Sequence, residues 1–152
     1  MQKNVFLGLG SNLGDREAYL ENAIARLDTE QEINVLARSV MIETTPVGDL
    51  SQPMFLNMAV EIETSLKPRA LLALCLAIEL ANGRKRTEKW ASRTLDMDIL
   101  FFGDSVIDEE GLKIPHPEVA VRRFALEPLA EIAPNYCHPL NKESVSAMLQ
   151  RM

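Results

Sequence analysis

Two aspartates separated by a single residue are the sharpest chemical feature of this sequence. Asp96 and Asp98 lie among apolar residues in a pattern that is typical of a β-strand. Residues two apart in a strand share one face, so we expect the two carboxylates to lie side by side. Two carboxylates so close repel each other unless a cation or a proton lies between them. A hard divalent cation such as Mg²⁺ suits this place, because it binds carboxylates together with the phosphates of a substrate. The alternative is a solvated strand face that carries two acids for solubility.

A strongly basic segment before the aspartates favours the cation site over the solvated face. Residues 84–93 carry a net charge of +4, whereas the whole chain carries −6. A local cationic patch on an anionic protein indicates a small anionic ligand, and the overall charge argues against a nucleic-acid binder. A guanidinium group can bind two phosphate oxygens at once. The arginines therefore indicate a phosphate-binding cluster rather than a solvated run of charges. The basic residues of the segment are Arg84, Lys85, Arg86, Lys89 and Arg93.

Two other features of the sequence leave alternatives open. Trp90, the only tryptophan, lies in the basic segment, where it either packs on the core or closes over a ligand. The glycine-rich residues 8–14 match neither the dinucleotide fingerprint nor the P-loop. We therefore interpret residues 8–14 as a tight turn between a strand and a helix.

An amide and two aromatic rings could together recognise a flat heterocycle. Asn57 offers both donors and an acceptor, and Phe55 and Phe124 could stack on the two faces of a ring. Ordinary packing is the alternative for each phenylalanine. His116 lies between Pro115 and Pro117 and is either a surface residue or a phosphate contact.

The elements that must position these residues follow a β-α-β-β-α-β order. This order predicts an α+β, ferredoxin-like core with a mainly antiparallel sheet, helices packed on it and a C-terminal helical appendage. We expect Leu95, Met97, Ile99 and Phe101 to share the buried face of the last strand. The predicted elements are a strand at 5–10, a helix that buries Leu20, Ile24 and Leu27, strands at 33–43 and 57–64, a helix from Pro68 capped by Gly83, a strand at 94–102, and short helices within 118–132 and 144–150, with a loop at 44–53.

Composition and length predict one globular domain over residues 1–152. The chain is 47% hydrophobic and 25% charged, which is ordinary for a globular protein. Its longest uncharged apolar run, Ala70–Ile78, is far shorter than the ~20 residues of a membrane helix. Cys75 and Cys137 form no disulfide framework or metal-binding spacing. We expect reduced thiols, a cytoplasmic location and no membrane partner.

These segments together resemble the 6-hydroxymethyl-7,8-dihydropterin pyrophosphokinase family of folate synthesis. The resemblance implies a ferredoxin-like fold and transfer of a diphosphate group from ATP to the pterin hydroxymethyl oxygen, with release of AMP and use of two magnesium ions. The matching stretches are Leu9-Gly-Ser-Asn-Leu-Gly14, Glu43-Thr-Thr-Pro-Val-Gly48, Gln52-Pro-Met-Phe-Leu-Asn57, Glu79 with Gly83-Arg84-Lys-Arg86, Trp90, Arg93-Thr-Leu-Asp-Met-Asp-Ile99, and Pro115-His-Pro117 through Phe124.

The resemblance also implies roles for individual residues. Asp96 and Asp98 would bind the magnesium ions, and Arg84, Arg93 and Asp98 would be catalytic. The residues expected at ATP or its phosphates are Glu79, Arg84, Arg86, Arg93, Ile99, His116 and Arg122. Those expected at the pterin are Thr44 and Val47 through their backbone, Phe55, Asn57, Trp90 and Phe124. Pro117 departs from the pattern, since some members of the family have a tyrosine at that position.

Two competing functions are a regulatory module that binds a small ligand without chemistry and an RNA-recognition domain. The second needs exposed aromatic residues on its central strands, where this sequence offers only Phe6. A turnover assay distinguishes the regulatory module from the enzyme, because only the enzyme releases AMP from ATP when the pterin is present. We expect a monomer whose partners are ATP and the dihydropterin, with no nucleic acid.

Overall fold

The computed structural model describes residues 1–46, 51–83 and 94–152. The predictions for Val47 and for the basic segment 84–93, with Arg84, Arg86, Trp90 and Arg93, lie outside the described residues. The elements are β1 (Gln2–Ser11), α1 (Arg16–Asp28), β2 (Ile33–Arg38), β3 (Ile42–Thr44), β4 (Phe55–Thr64), α2 (Pro68–Ala81), β5 (Asp96–Phe102), β6 (Ile107–Glu109), β7 (Leu112–Ile114), a short 3-10 helix (Val119–Val121), α3 (Arg123–Ile132) and α4 (Val145–Gln150).

The main sheet is antiparallel and has β1 at its centre. Its strand order is β2-β4-β1-β5, and the short strand β3 also pairs with β4. Each of these pairings is antiparallel. The mixed α+β class and the antiparallel sheet are therefore confirmed.

Apolar residues of the sheet form two clusters, one on each face. Leu7 and Leu9 of β1 pack with residues of α1 and α2, such as Leu20 and Ile78. Phe6 packs on the opposite face with residues of α3 and α4. Alternate residues of β1 thus point to two different helical layers, as the period of a strand requires. This central strand is buried on both sides.

The segment predicted as one strand at 33–43 is two strands, and Ser39 explains the break. The Ser39 hydroxyl accepts a hydrogen bond from the Ala59 backbone N–H and donates to the Val40 carbonyl, both at 2.9 Å. A side chain thus takes part in the pairing at this point. Regular pairing with β4 stops at Arg38 and resumes at Ile42, so Thr44 lies in β3 rather than in a loop.

The prediction that Phe101 shares a face with Met97 and Ile99 is wrong. The register of β5 against β1 shifts between the pairs Phe6–Phe101 and Leu7–Ile99, which leaves one extra residue in β5. Such a bulge reverses the facing of the residues beyond it, and Phe101 packs in the second cluster with Phe6. Met97 and Ile99, before the bulge, lie in the first cluster as expected.

The helix boundaries follow the sequence closely, with small differences. Pro68 occupies the first turn of α2 as predicted, but the C-cap is Asn82, whose side chain donates to the Ile78 carbonyl. Gly83 follows the cap with a φ of +81°, a conformation that favours glycine. The β6–β7 hairpin was not predicted. None of the helices in the described ranges is long and apolar enough to span a membrane.

Candidate active site

The floor of the site consists of two glycines of the central strand. Gly10 lies opposite Asn57 of β4 on one side and opposite Asp96 of β5 on the other. Directly paired residues of neighbouring strands project from the same face. Since neighbouring strands are about 4.8 Å apart, the backbones of Asn57 and Asp96 lie about 10 Å apart across Gly10. Gly8 has the same relation to Ala59 and Asp98.

The two glycines leave a cleft on the face of the sheet that α3 and α4 cover elsewhere. The helices pack on large side chains such as Phe6 and Phe101, whereas Gly8 and Gly10 offer no side chain for them to pack on. The resulting cleft has a volume of about 380 Å³, including its open mouth. It brings together six of the predicted site residues, namely Asn57, Asp96, Asp98, His116, Arg122 and Phe124.

The strand predicted at 5–10 is confirmed for both glycines of this floor, and the predicted turn to the helix begins only after them. Gly8 and Gly10 are strand residues, and the chain leaves β1 only after Ser11. A Cβ on Gly10 would lie 2.6 Å from the Asn57 Oδ1 atom, so glycine at this position allows the close approach of that amide. Glycine inside a strand is itself a sign of such an approach. The sequence therefore contained the signal.

The pair of aspartates lies as predicted on the cleft side of β5. Asp96 and Asp98 are half-buried, while Met97 between them points into the core on the other side. Glu79 of α2 is 5% exposed, and its Oε2 accepts a hydrogen bond of 2.7 Å from the Met97 backbone N–H. This bond ties α2 to the stretch of β5 that carries both aspartates. Glu79 does not line the cleft itself.

Ile99, another predicted site residue, and Cys75 also point into the core. Ile99 is 6% exposed and packs in the cluster beneath the sheet, so its side chain does not line the cleft. Cys75 is fully buried, and burial, together with the nearby carboxylates of Glu79 and Asp98, raises the pKa of its thiol to about 12. Cys75 and Cys137 are both free, as predicted.

His116 is held at the cleft wall by its backbone and its ring. Its backbone N–H donates to the Leu100 carbonyl at 2.9 Å, and its Nδ1 accepts from the Glu118 N–H at 3.1 Å. Burial lowers the pKa of His116, and the positive charge of Arg122 lowers it further. The neutral ring with an occupied Nδ1 carries its proton on Nε2, so it is a hydrogen-bond donor for an anion.

Arg122 and Phe124 form the wall beside the histidine. The Arg122 guanidinium pairs with the carboxylate of Glu118, one helical turn earlier. Its central carbon lies 5.3 Å from the centroid of the Phe124 ring, within the range of a cation–π contact. These contacts fix a positive charge and an aromatic face at the same edge of the cleft.

The amide of Asn57 is fixed on the opposite side of the floor. Asn57 is 7% exposed, and its Nδ2 donates a hydrogen bond to the Thr44 hydroxyl of β3. The sequence predicted a role for the Thr44 backbone, whereas here its side chain orients the amide. Phe55 lies next to this amide, and its Cδ1 atom is 3.5 Å from the position that a Cβ on residue Gly10 would occupy.

The sequence model of the family described as 7,8-dihydro-6-hydroxymethylpterin-pyrophosphokinase matches residues 6–134. The chain belongs to this family. Its reaction is the pyrophosphokinase step of folate biosynthesis, in which a diphosphate group passes to the hydroxymethyl group of the dihydropterin. This membership favours the enzyme over the regulatory module and the RNA-recognition domain.

Two bacterial pyrophosphokinases illustrate the similarity. The 2-amino-4-hydroxy-6-hydroxymethyldihydropteridine pyrophosphokinase of Bacillus subtilis is 47% identical over 147 residues, which cover 97% of this chain and 86% of that protein. The enzyme of the same name from Methylorubrum extorquens is also 47% identical, over 130 residues that cover 86% of this chain and 82% of the relative.

Solved structures of the family support the fold. A crystal structure of HPPK-DHPS in complex with substrates aligns with 99% of this chain at a TM-score of 0.77 and 15% identity. The alignment covers 43% of that longer chain, so this chain spans less than half of its length. At this level of identity the comparison shows the fold alone.

Proposed function

We propose that the cleft above Gly8 and Gly10 is the active site of the pyrophosphokinase, with the two substrates on opposite sides of the glycine floor. Magnesium and the ATP phosphates would bind at Asp96 and Asp98, and the pterin would bind at Asn57. The observation that carries this proposal is the strand register, which places Asn57, Gly10 and Asp96 in one row. The hydroxymethyl group of the pterin would then lie toward the metal side.

The donor set at the aspartates fits magnesium. Mg²⁺ in phosphate-transfer sites takes one or two carboxylates and completes its shell with phosphate oxygens and water. Asp96 and Asp98 supply two carboxylates on one face, and the described residues contain no group of three or more metal-binding side chains. We propose that the pair binds two ions together with ATP. Bound magnesium would neutralise charge on the transferring diphosphate.

The opposite side of the cleft fits a flat ring with hydrogen-bonding edges. Asn57 has an amide already oriented by Thr44, and Phe55 and Phe124 provide two aromatic faces. A buried amide discriminates strongly against a ring that leaves it unpaired. We propose that Thr44, Val47, Phe55, Asn57, Trp90 and Phe124 together form the pterin site.

Positive groups around the phosphates would stabilise the transferred charge. His116 offers an Nε2–H and Arg122 a guanidinium at the cleft wall, and we propose that Arg84, Arg86 and Arg93 add to them. Glu79 would act by holding β5, and Ile99 through its backbone. Positioning and electrostatics carry most of the rate enhancement in phosphoryl transfer.

The reaction balances as a displacement at the β-phosphorus of ATP. The pterin hydroxyl oxygen forms a bond to that phosphorus, and the bond to the oxygen of the α-phosphate breaks. AMP leaves with this oxygen. The hydroxyl proton passes to Asp98 or to bound water.

We also propose a ferredoxin-like topology, a single domain and a monomer in the cytoplasm. The strand order β2-β4-β1-β5, with α1 after β1 and α2 after β4, supports the ferredoxin-like assignment, and β3 is an added short strand. The free thiols of Cys75 and Cys137 are consistent with a reducing compartment. A monomer would have a solution mass near 17.0 kDa by light scattering.

Calorimetry with separate ligands tests the two halves of the site. Asn57→Ala should weaken binding of the dihydropterin and leave binding of an unreactive ATP analogue with Mg²⁺ nearly unchanged, whereas Asp96→Ala should do the reverse. Asn34→Ala is a matched control, because Asn34 also donates to a residue of a neighbouring strand, Glu63, but on an exposed surface. Equal losses of both ligands in both variants would contradict the two-sided site.

A further inference from the structure

Two polar side chains after β1 hold the chain segments that lead to the pterin residues. Arg16, the first residue of α1, contacts the Glu43 carboxylate at 2.6 Å through Nη2. Its Nη1 donates a hydrogen bond of 2.9 Å to the Met54 carbonyl. Asn12 is 1% exposed, and its Nδ2 donates to the Pro53 carbonyl at 3.2 Å.

Each contact of Arg16 lies one residue away from a proposed pterin residue. Glu43 immediately precedes Thr44, whose hydroxyl orients the Asn57 amide. Met54 immediately precedes Phe55, which pairs with Thr44 between β3 and β4. A single guanidinium therefore bridges the two strands at the point where the hydrogen-bonding edge and the ring of the site meet.

We propose that Arg16, assisted by Asn12, is a positioning residue for the pterin substrate. This inference rests on the proposed pterin site. Arg16 fixes the spacing between β3 and the start of β4, so that Thr44 keeps Asn57 oriented and Phe55 keeps its place beside the amide. The planar fork of arginine suits this task because two separate donors reach two different acceptors, which a lysine ammonium does less well.

The exposure of the contact indicates that it affects binding more than stability. The side chains of Arg16 and Glu43 are 29% and 56% exposed. Ion pairs of this exposure add little to folding stability. Loss of the bridge should therefore leave the fold intact while it loosens the two strand ends.

Arg38 provides a matched control for the experiment. It forms an ion pair with Glu21 of α1, with side chains that are 40% and 49% exposed. This pair also joins α1 to the sheet, but it reaches β2 rather than β3 and β4. Arg38→Gln thus removes a similar contact at a place that has no link to the cleft.

The test measures pterin and nucleotide binding separately in five variants, one of which, Asn57→Ala, tests the pterin site itself. Arg16→Gln should raise the dissociation constant of 6-hydroxymethyl-7,8-dihydropterin, measured with an unreactive ATP analogue and Mg²⁺, about tenfold. The dissociation constant of the analogue itself should stay within about twofold. Arg16→Lys should recover part of the loss, and Arg38→Gln should change neither constant. Glu43→Ala, which removes one of the two Arg16 contacts, should give a smaller rise, about threefold.

Several results would overturn the inference. One is that Arg16→Gln behaves like Arg38→Gln, and another is that it weakens both ligands equally. If Arg16→Gln does not fold, an unchanged pterin affinity in Glu43→Ala would also overturn it. Asn57→Ala in the same experiment identifies which claim fails. An unchanged pterin affinity in Asn57→Ala would refute the proposed site, whereas a loss there with none in Arg16→Gln would refute only the role of Arg16.

Discussion

Replacement of Gly10 by alanine should disturb the pterin side of the site and spare the rest. The added Cβ would lie 2.6 Å from Asn57 Oδ1, closer than any normal contact, and 3.5 Å from a carbon of Phe55, which is ordinary contact. The Asn57 amide must therefore turn away and lose its bond to the Thr44 hydroxyl. Loss of an oriented hydrogen bond in a buried place costs about 1–3 kcal/mol. Pterin affinity should fall about 5- to 150-fold, since 1.4 kcal/mol corresponds to tenfold.

The assay is calorimetric titration of the dihydropterin and, separately, of Mg²⁺ with an unreactive ATP analogue. Gly8→Ala is the comparison, because it adds a Cβ to the same floor opposite Asp98 rather than Asn57, with Leu100 as its nearest neighbour at 3.3 Å, and it should leave pterin affinity nearly unchanged. The double variant Gly10→Ala with Asn57→Ala decides the mechanism, since the clash disappears with the amide. We expect it to bind pterin as weakly as Asn57→Ala alone. Fully additive losses, or equal losses of pterin and nucleotide in Gly10→Ala, would refute the reasoning.

Three further predictions concern the metal, the histidines and the basic segment. Asp96→Ala or Asp98→Ala should abolish turnover, because each removes a carboxylate of the proposed magnesium site. Asp108→Ala, on an exposed hairpin, is the control, and activity near normal at low Mg²⁺ would contradict the metal site. Burial lowers the pKa values of His116 and His138 below the ordinary 6.5, so the unfolded chain binds more protons below that pH and folding stability falls with acidification. Urea unfolding measures the free energy of unfolding at pH 7.5 and at pH 5.5. The decrease between the two pH values should be smaller in His116→Gln than in the unsubstituted protein, and an equal decrease would contradict the role of His116. Arg84→Ala should slow the chemical step more than it weakens ATP binding. Trp90 fluorescence should change when the ATP analogue and pterin are both bound. Unchanged fluorescence would contradict closure of the basic segment over the ligands.

The acid pair could be predicted from sequence because its signal is local. Alternation of Asp96, Met97 and Asp98 fixes their faces within a few residues, and the structure confirms it. Phe101, three residues later, could not be predicted because a bulge against β1 depends on how two distant strands pair. The failure therefore comes from long-range register, which no local pattern contains.

The role of the two floor glycines also depends on strand pairing that a local sequence pattern does not contain. Gly8 and Gly10 alternate as strand residues do, but their purpose depends on Asn57, 47 residues beyond Gly10. The break at Ser39 likewise depends on a side chain that bonds to the Ala59 backbone. Sequence thus supplied the residues of the site, while the pairing of β1 with β4 and β5 supplied their arrangement.

The distance between the metal and the pterin in the ternary complex tests the central claim most directly. Mn²⁺ in place of Mg²⁺, bound with the unreactive ATP analogue, relaxes the protons of a nearby pterin according to their distance from the ion. The row formed by Asn57, Gly10 and Asp96 predicts pterin protons within about 10 Å of the ion, two strand spacings away. The relaxation should vanish in Asp96→Ala. Protons farther than about 20 Å from the ion, four strand spacings, would place the substrates in different sites and contradict the account.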